Sequence, residues 1–389
     1  MHKILTYNKI SVKGLDRFSR EKYEIASEIS KPDAIMLRSH VLTPETIPTT
    51  TRAIGRAGAG VNNIPVANCT ERGIGVFNAP GANANAVKEL VVMAMLMSTR
   101  DILGGIEFVK QEGGGKDEAS LHKLVEDGKK KFGGQELAGK TLGVVGLGAI
   151  GSQVAETALT LGMKVLGLDP ALSVDAAWRL SRDIERVENM QTLLSKSDYV
   201  TLHLPVLEAT RNLINKELVE SFKPGGVLLN FSREKLVDTE AIVAGLDSGK
   251  IGRYVTDFPM PQLIGRDDVT LMPHLGASTV EAEENCAIMV ADQLMDFLEH
   301  GNIKNSVNFP ATYLERTEGY RIAFSNRNVP KMLNQVLSIL ADRNHNVIDM
   351  INKSRDDIAY NLIDVEREPN PDLAEALEAI DGVINVRIL

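Results

Sequence analysis

Gly146, Gly148 and Gly151 in "GLGAIG" form the pattern G-x-G-x-x-G, directly after the apolar run "TLGVV" and at the start of a helical stretch. Each glycine of that pattern has a physical reason. The first makes a tight turn, the second lets backbone amides approach a pyrophosphate, and the third allows close helix packing. The amides of Ala149 and Ile150 open the helix and add its partial positive charge. The next apolar run, "MKVLGLDP", ends in Asp169, eighteen residues beyond Gly151. A carboxylate there accepts hydrogen bonds from both ribose hydroxyls and repels a 2′-phosphate, so NAD is favoured over NADP. A glycine loop alone can be empty, and Asp169 alone can be an exposed strand-end acid. Strand, glycines and acid in register argue for the nucleotide.

Hydride transfer from an alcohol carbon leaves a hydroxyl proton for a base, and the reverse reaction needs an acid at the carbonyl oxygen. Histidine does both near neutral pH. A substrate carboxylate is best fixed by a guanidinium, whose planar fork reaches both oxygens. Arg233 in "LNFSREKLVD" and His274 in "PHLGAST" each follow an apolar run that reads as a strand. Ligands of open α/β sheets lie beyond such carboxyl ends. Without further support, the same residues read as a surface arginine and a histidine bonded to backbone.

These groups need a framework to hold them. The first hundred residues alternate "KILTY", "DAIMLRS", "AIGRAGAG" and "GIGVFNAPG" with polar breaks, as parallel strands ending in loops do. A helix follows over Ala86 to Met97, with Asn83 or Asn85 as its cap. The stretch "QEGGGKDEASLHKLVEDGKKKFGG" reads as a surface excursion or hinge. From Thr141 the runs "TLGVVGLGAIG", "MKVLGLDP", "DYVTLHLP", "GGVLLNFSR" and "IGRYVTDF" are apolar nearly throughout, with helical segments between them. That alternation predicts a doubly wound α/β domain. After a long helical pattern that runs to "FLEHG", the last seventy residues read βαββαβ, the ferredoxin-like order.

Composition narrows the function classes. A chain of 389 residues predicts two or three domains. The formal net charge of −9 repels a phosphate backbone, and no basic stripe carries interleaved aromatics, so nucleic acid is not expected as a partner. Cys69 and Cys286 have no metal-ligand spacing and read as buried small hydrophobes in a reducing compartment. The start "MHKILTYNKI" lacks the apolar core of a signal peptide, and Leu90 to Met97 is too short to span a bilayer. The expectation is a cytoplasmic protein with no membrane partner and no bound metal.

The blocks "GRAGAGVNNI", "GLGAIG", "LNFSREKLVD" and "PHLGAST" closely resemble the D-2-hydroxyacid dehydrogenase family, above all its short phosphoglycerate-oxidising branch with a C-terminal ACT domain. The resemblance covers nearly the whole chain, with the blocks in family order. It implies a substrate-binding domain over residues 1–97 and 288–312, an NAD-binding Rossmann domain over 98–287, and an ACT-like regulatory domain over 318–389. Both larger domains would be doubly wound around parallel sheets.

The implied reaction is NAD-dependent oxidation of D-3-phosphoglycerate, a phosphorylated 2-hydroxy acid, with Arg233 on the carboxylate and His274 exchanging the proton. The amides of Ala59, Gly60 and Val61 would receive the carboxylate. Arg38, Arg56 and one of Lys129, Lys130 or Lys131, with Lys131 preferred, would neutralise the phosphate. His203, Pro205, Ser232, Asp257, Gly276 and Ala277 would contact the cofactor, Asp257 near the nicotinamide carboxamide. Homodimers would pair through the Ala86 to Met97 helix, and ACT pairing would make tetramers.

Three departures stand out, the first being Glu234 and Lys235 where the family has glycines after the arginine, which tightens backbone approach beside Arg233. The family's histidine partner is a glutamate, and the gap-free count from Arg233 puts Gln262 in its place. Either the loop shifts and Asp267 or Asp268 serves, or His274 works without a carboxylate, or catalysis is weak. In the third domain Asn326 and Asn346 match the family's amino-acid effector site, whereas Phe324 stands at its histidine. A hydroxypyruvate, glyoxylate or other 2-hydroxy acid reductase is the second enzyme reading, and an NAD-sensing binding protein is the reading from another class.

Overall fold

The computed structural model describes residues 1–389, the side chain of Pro371 excepted. The chain forms two compact units, Met1–Asn83 with Thr279–Leu389, and Ala84–Ser278. Their limits fall ahead of the expected 97/98 and 287/288, and the C-terminal sheet belongs to the first unit.

In the first unit a parallel sheet runs in the order β2-β1-β3-β4-β5. Its strands are β1 (His2–Thr6), β2 (Tyr23–Ala26), β3 (Ala34–Leu37), β4 (Ala53–Arg56) and β5 (Gly75–Phe77). The edge strand β2 was not among the expected runs, because it is only four residues long and Glu24 interrupts it. Helix Val280–His300 packs here, with Cys286, Ala287, Val290, Ala291, Leu294, Phe297 and Leu298 buried at helical spacing. Thr279 caps it by accepting from the Ala282 N–H at 3.1 Å, and Gly301 ends it with φ 72°, a left-handed turn that suits glycine.

The C-terminal sheet is antiparallel, in the order β14-β15-β13-β16. Its strands are β13 (Tyr320–Arg327), β14 (Val347–Arg355), β15 (Ile358–Val365) and β16 (Val383–Ile388). Helices Met332–Asp342 and Pro371–Glu378 cover one face, around Ile322, Phe324, Val336, Leu340 and Leu373. The other face sends Ala323, Tyr360 and Leu362 into the same core as Phe77, Phe297 and Phe309. The sequence shows the βαββαβ order but not this second apolar face, which joins the ferredoxin-like sheet to the first unit.

The second unit is a doubly wound parallel sheet in the order β12-β11-β10-β9-β6-β7-β8. Its strands are β6 (Thr141–Val145), β7 (Lys164–Leu168), β8 (Ile184–Arg186), β9 (Tyr199–Leu202), β10 (Gly226–Asn230), β11 (Ile251–Thr256) and β12 (Val269–Leu271). Helices Ala84–Met97 and Ala149–Thr160 share a core with Leu142 and Val144 on one side. Leu193, Leu218, Ile242 and Leu246 build the core on the other.

Two local expectations are corrected. Asn85 lies inside its helix and bonds Glu89 at 2.8 Å, so it is not the cap. The glycine- and lysine-rich stretch forms helices Ile102–Gly113 and Glu118–Gly128 and a short 3₁₀ turn, Lys129–Phe132. Asp101 and Asp117 cap the two helices through the Gly104 and Ser120 N–H groups at 3.1 and 2.8 Å. The glycine triplet therefore only separates them. Among the described residues no helix is long and apolar enough to cross a membrane.

Candidate active site

The order in which strands are added to the second unit's parallel sheet reverses between β6 and β9, which pair directly. The glycine loop follows β6 and His203 follows β9, with the His203 N–H donating to Val145 O at 2.8 Å. A crevice beyond the strand ends at such a reversal is where open α/β sheets bind ligands. A side chain at Gly151 would collide with the Gly146 carbonyl, so packing requires that glycine. Gly148 is different, since nothing of the protein lies within 4 Å of where its Cβ would be. The helix start beyond it presents Ala149 and Ile150 amides that have no intrahelical acceptor.

Asp169 is tied to this loop. Its Oδ2 accepts from the Leu147 N–H at 2.8 Å and its Oδ1 from Ala171 at 3.0 Å. His203 pairs Nε2 with Thr201 Oγ1 at 2.9 Å, while its Nδ1 is buried without a partner. Burial pulls that imidazole down to about 3, so it is neutral near pH 7. Ser232 Oγ donates to Leu202 O at 2.6 Å, and the Pro205 carbonyl accepts from Thr210 at 2.6 Å.

Asp257 lies past the end of β11, 1% exposed. Its Oδ2 accepts from the Gly276 N–H at 2.9 Å, beside Ala277, and its Oδ1 is buried without a partner. Burial raises its pKa, offset in part by Gly276 and by the charges of His274 and Arg233. The unmet acceptor and the open approach at Gly148 fit an amide-bearing dinucleotide, so the cradle suits NAD.

Arg233 follows β10 and is exposed, with one Nη bonded to Ser232 O at 2.6 Å. Asn230 holds this turn, donating to Arg233 O at 2.9 Å and accepting from the Ser232 N–H at 3.2 Å. The exposed His274 has φ 52°, and its N–H donates to Asp257 O at 2.9 Å. Its ring meets Phe258 at 4.8 Å between centroids. Among the described residues no carboxylate lies within ion-pair distance of it.

Gln262 is exposed on the 3₁₀ turn Pro261–Leu263. Asp268 does not serve in its stead. Arg266 grips both Asp268 oxygens at 2.9 and 2.8 Å and reaches Asp247 at 2.9 Å. That guanidinium holds the Asp268 carboxyl below its usual range. Asp267 is exposed.

In the first unit, Arg38 follows β3 and Arg56 ends β4. Arg38 pairs with Glu283 at 2.7 Å. Arg56 donates Nε to Arg38 O at 3.0 Å and Nη1 to Gly60 O at 2.7 Å, so it ties two loops together. The N–H groups of Ala59, Gly60 and Val61 meet no acceptor among the described residues, an open set of donors for an anion. Lys131 is exposed in the second unit.

In the C-terminal sheet Asn326 is 2% exposed and committed to Arg327 O at 2.6 Å and Asn361 at 2.7 Å, while Asn346 is exposed. The first therefore spends one donor and one acceptor of its amide inside the sheet. Asn8, Asn63 and Asn230, which hold the site loops, escaped sequence reasoning. Their signal was an asparagine at or beyond a strand end, Asn63 as far as seven residues past β4, which turn chemistry explains equally well.

The model of the D-isomer specific 2-hydroxyacid dehydrogenase NAD binding domain matches residues 92–276. A D-3-phosphoglycerate dehydrogenase of Haemophilus influenzae is 33% identical over 381 residues, 94% of this chain and 88% of that one. One from Synechocystis is 36% identical over 80% of this chain, which spans only 56% of that longer protein. An NAD+-bound 3-phosphoglycerate dehydrogenase structure from Entamoeba histolytica aligns with TM-score 0.60 and 26% identity, covering 80% of this chain and 99% of that one.

Proposed function

The chain belongs to the D-isomer specific 2-hydroxyacid dehydrogenase family, and from that premise we propose that it oxidises D-3-phosphoglycerate to 3-phosphohydroxypyruvate, the entry step of serine synthesis. The observation that carries the reading is Asp257, buried with one oxygen unmet while its backbone carbonyl accepts from the His274 N–H at 2.9 Å. This supports an acceptor for the cofactor amide beside an acid/base, with the carboxylate fork Arg233 at the end of the adjacent strand β10.

NAD, when bound, supplies the hydride acceptor. Gly148, Ala149 and Ile150 offer amides to its pyrophosphate, Asp169 its carboxylate to the ribose, and Asp257 Oδ1 accepts from the carboxamide. His203 contributes a neutral imidazole, and Ser232, Pro205, Gly276 and Ala277 line the approach. Arg233 holds the substrate carboxylate and polarises the neighbouring C–O bond, and His274 takes the hydroxyl proton. The amides of Ala59, Gly60 and Val61 bind the carboxylate oxygens, and Arg38, Arg56 and Lys131 supply positive charge for the phosphate. Gln262 orients the His274 ring without contributing charge. Two copies pair through the second unit, a reading supported by Leu103, Ile106 and Val109, which line one exposed helix face at 48, 48 and 46% exposure.

The test is the pH profile of 3-phosphohydroxypyruvate reduction with NADH, for the native chain, Gln262→Glu and His274→Ala, with unphosphorylated hydroxypyruvate alongside. Turnover should vanish in His274→Ala, and the basic limb should move up by roughly one pH unit in Gln262→Glu, the size of one added ion pair. NADH binding with no turnover of either acid would sink the dehydrogenase reading. Equal kcat/KM for the two acids would sink the phosphate specificity.

A further inference from the structure

The segment Arg38–His40, just beyond the carboxyl end of β3, is held by three side chains. Asn8, beyond β1, points its Oδ1 at three consecutive backbone N–H groups, those of Arg38, Ser39 and His40, at 3.4, 3.0 and 2.7 Å. Asn63 engages the carbonyls instead, its Nδ2 donating to those of Arg38 and His40 at 3.2 and 2.6 Å. Arg56 Nε shares the Arg38 carbonyl at 3.0 Å. Nearly every backbone polar group of the segment is thereby fixed.

Asn8 adopts φ 67°, a conformation open to few residues other than glycine and asparagine. That geometry lets one amide oxygen face three neighbouring N–H groups. The neighbouring Tyr7 ring stacks on His40 at 4.1 Å and 6° between planes. The backbone is thus held in place, while the Arg38 guanidinium, 39% exposed and paired with a half-exposed Glu283, remains reachable by an anion. A site built on a clamped loop holds a ligand better than a mobile one, because no ordering entropy is lost on binding.

Resting on the dehydrogenase reading, we propose that Asn8 and Asn63 are positioning residues that clamp the Arg38–His40 segment, so that Arg38 is preset for the phosphate of the three-carbon acid. Neither asparagine touches the substrate. Loosening the clamp raises KM for a phosphorylated substrate and leaves the hydride and proton steps intact.

Asn8→Gly keeps the left-handed backbone and removes the oxygen, and Asn63→Ala removes the donor to the carbonyls. Each should raise KM for 3-phosphohydroxypyruvate about tenfold, with kcat within about threefold, KM for NADH unchanged, and KM for unphosphorylated hydroxypyruvate within about twofold. Equal rises for both acids, a loss confined to kcat, or no change in either soluble variant would overturn the clamp. If the native chain turns over neither acid, the dehydrogenase reading fails separately. Calorimetry with inorganic phosphate then decides the clamp, since equal affinity in the native chain and the variants refutes it.

Discussion

At the scale of single residues, Asp257 combines function with a cost to the fold. Its carboxyl is buried, has one unmet oxygen, and titrates above the usual aspartate value of 3.8. A carboxyl whose folded pKa is raised is fully compatible with the fold below the unfolded value. It destabilises progressively as pH rises through the folded one, because the unfolded chain ionises more easily. Asp257→Asn keeps an oxygen for the Gly276 N–H and removes the buried charge. Scanning calorimetry should therefore give this variant a higher Tm than the native chain at neutral pH, the difference vanishing below pH 3.8. NADH should bind it more weakly, since the acceptor for the cofactor amide becomes a donor. A lower Tm at neutral pH would mean that the ionised carboxylate is stabilised in place.

At the scale of elements, helix Val280–His300 shows how a helix end is completed by a distant segment. Past the Gly301 N–H, which caps the Phe297 carbonyl at 3.0 Å, the last carbonyls of the helix have donors from the C-terminal sheet. Arg387 donates to Phe297 O and Leu298 O at 2.9 and 3.0 Å, Arg321 to His300 O at 3.0 Å, and Tyr360 to Gly301 O at 2.8 Å. Arg321 is in turn paired with Asp364, both side chains 0% exposed. Arg321→Met should cost about 3–5 kcal/mol in urea unfolding, because it strands a buried carboxylate. Adding Asp364→Leu should recover only part, since the carbonyls of His300, Leu314 and Glu315 stay without the donors Arg321 gave them. Full recovery would show that those carbonyls find other partners. The helix itself was legible from its apolar spacing, and so were the central strands and the glycine turn, because burial on both faces writes a continuous apolar run. Short edge strands such as Tyr23–Ala26 and Ile184–Arg186 were not, having little to bury. The Asn8 contact was invisible for another reason: it joins residues about thirty apart, and local spacing carries no trace of it.

At the scale of the whole chain, the βαββαβ order suggests an appended module, yet this sheet is part of the first unit. Its inner face contributes Ala323, Ile358, Tyr360 and Leu362 to the core that holds Phe77, Phe297 and Phe309. Its arginines close the helix that crosses that core. A detachable regulatory domain would leave a folded enzyme when removed. Here, ending the chain after Leu314 would expose the apolar edge of the core and take from the carbonyls of Leu298 and His300 the side-chain donors that Arg387 and Arg321 supply. Exposure of several large side chains at ~1.5–3 kcal/mol each exceeds what a marginally stable unit tolerates. The truncated chain should therefore be insoluble, or lose the first unit's cooperative melting transition, while its second unit still binds NADH. Soluble, active truncated protein would contradict this and restore the sheet to the status of a separable module.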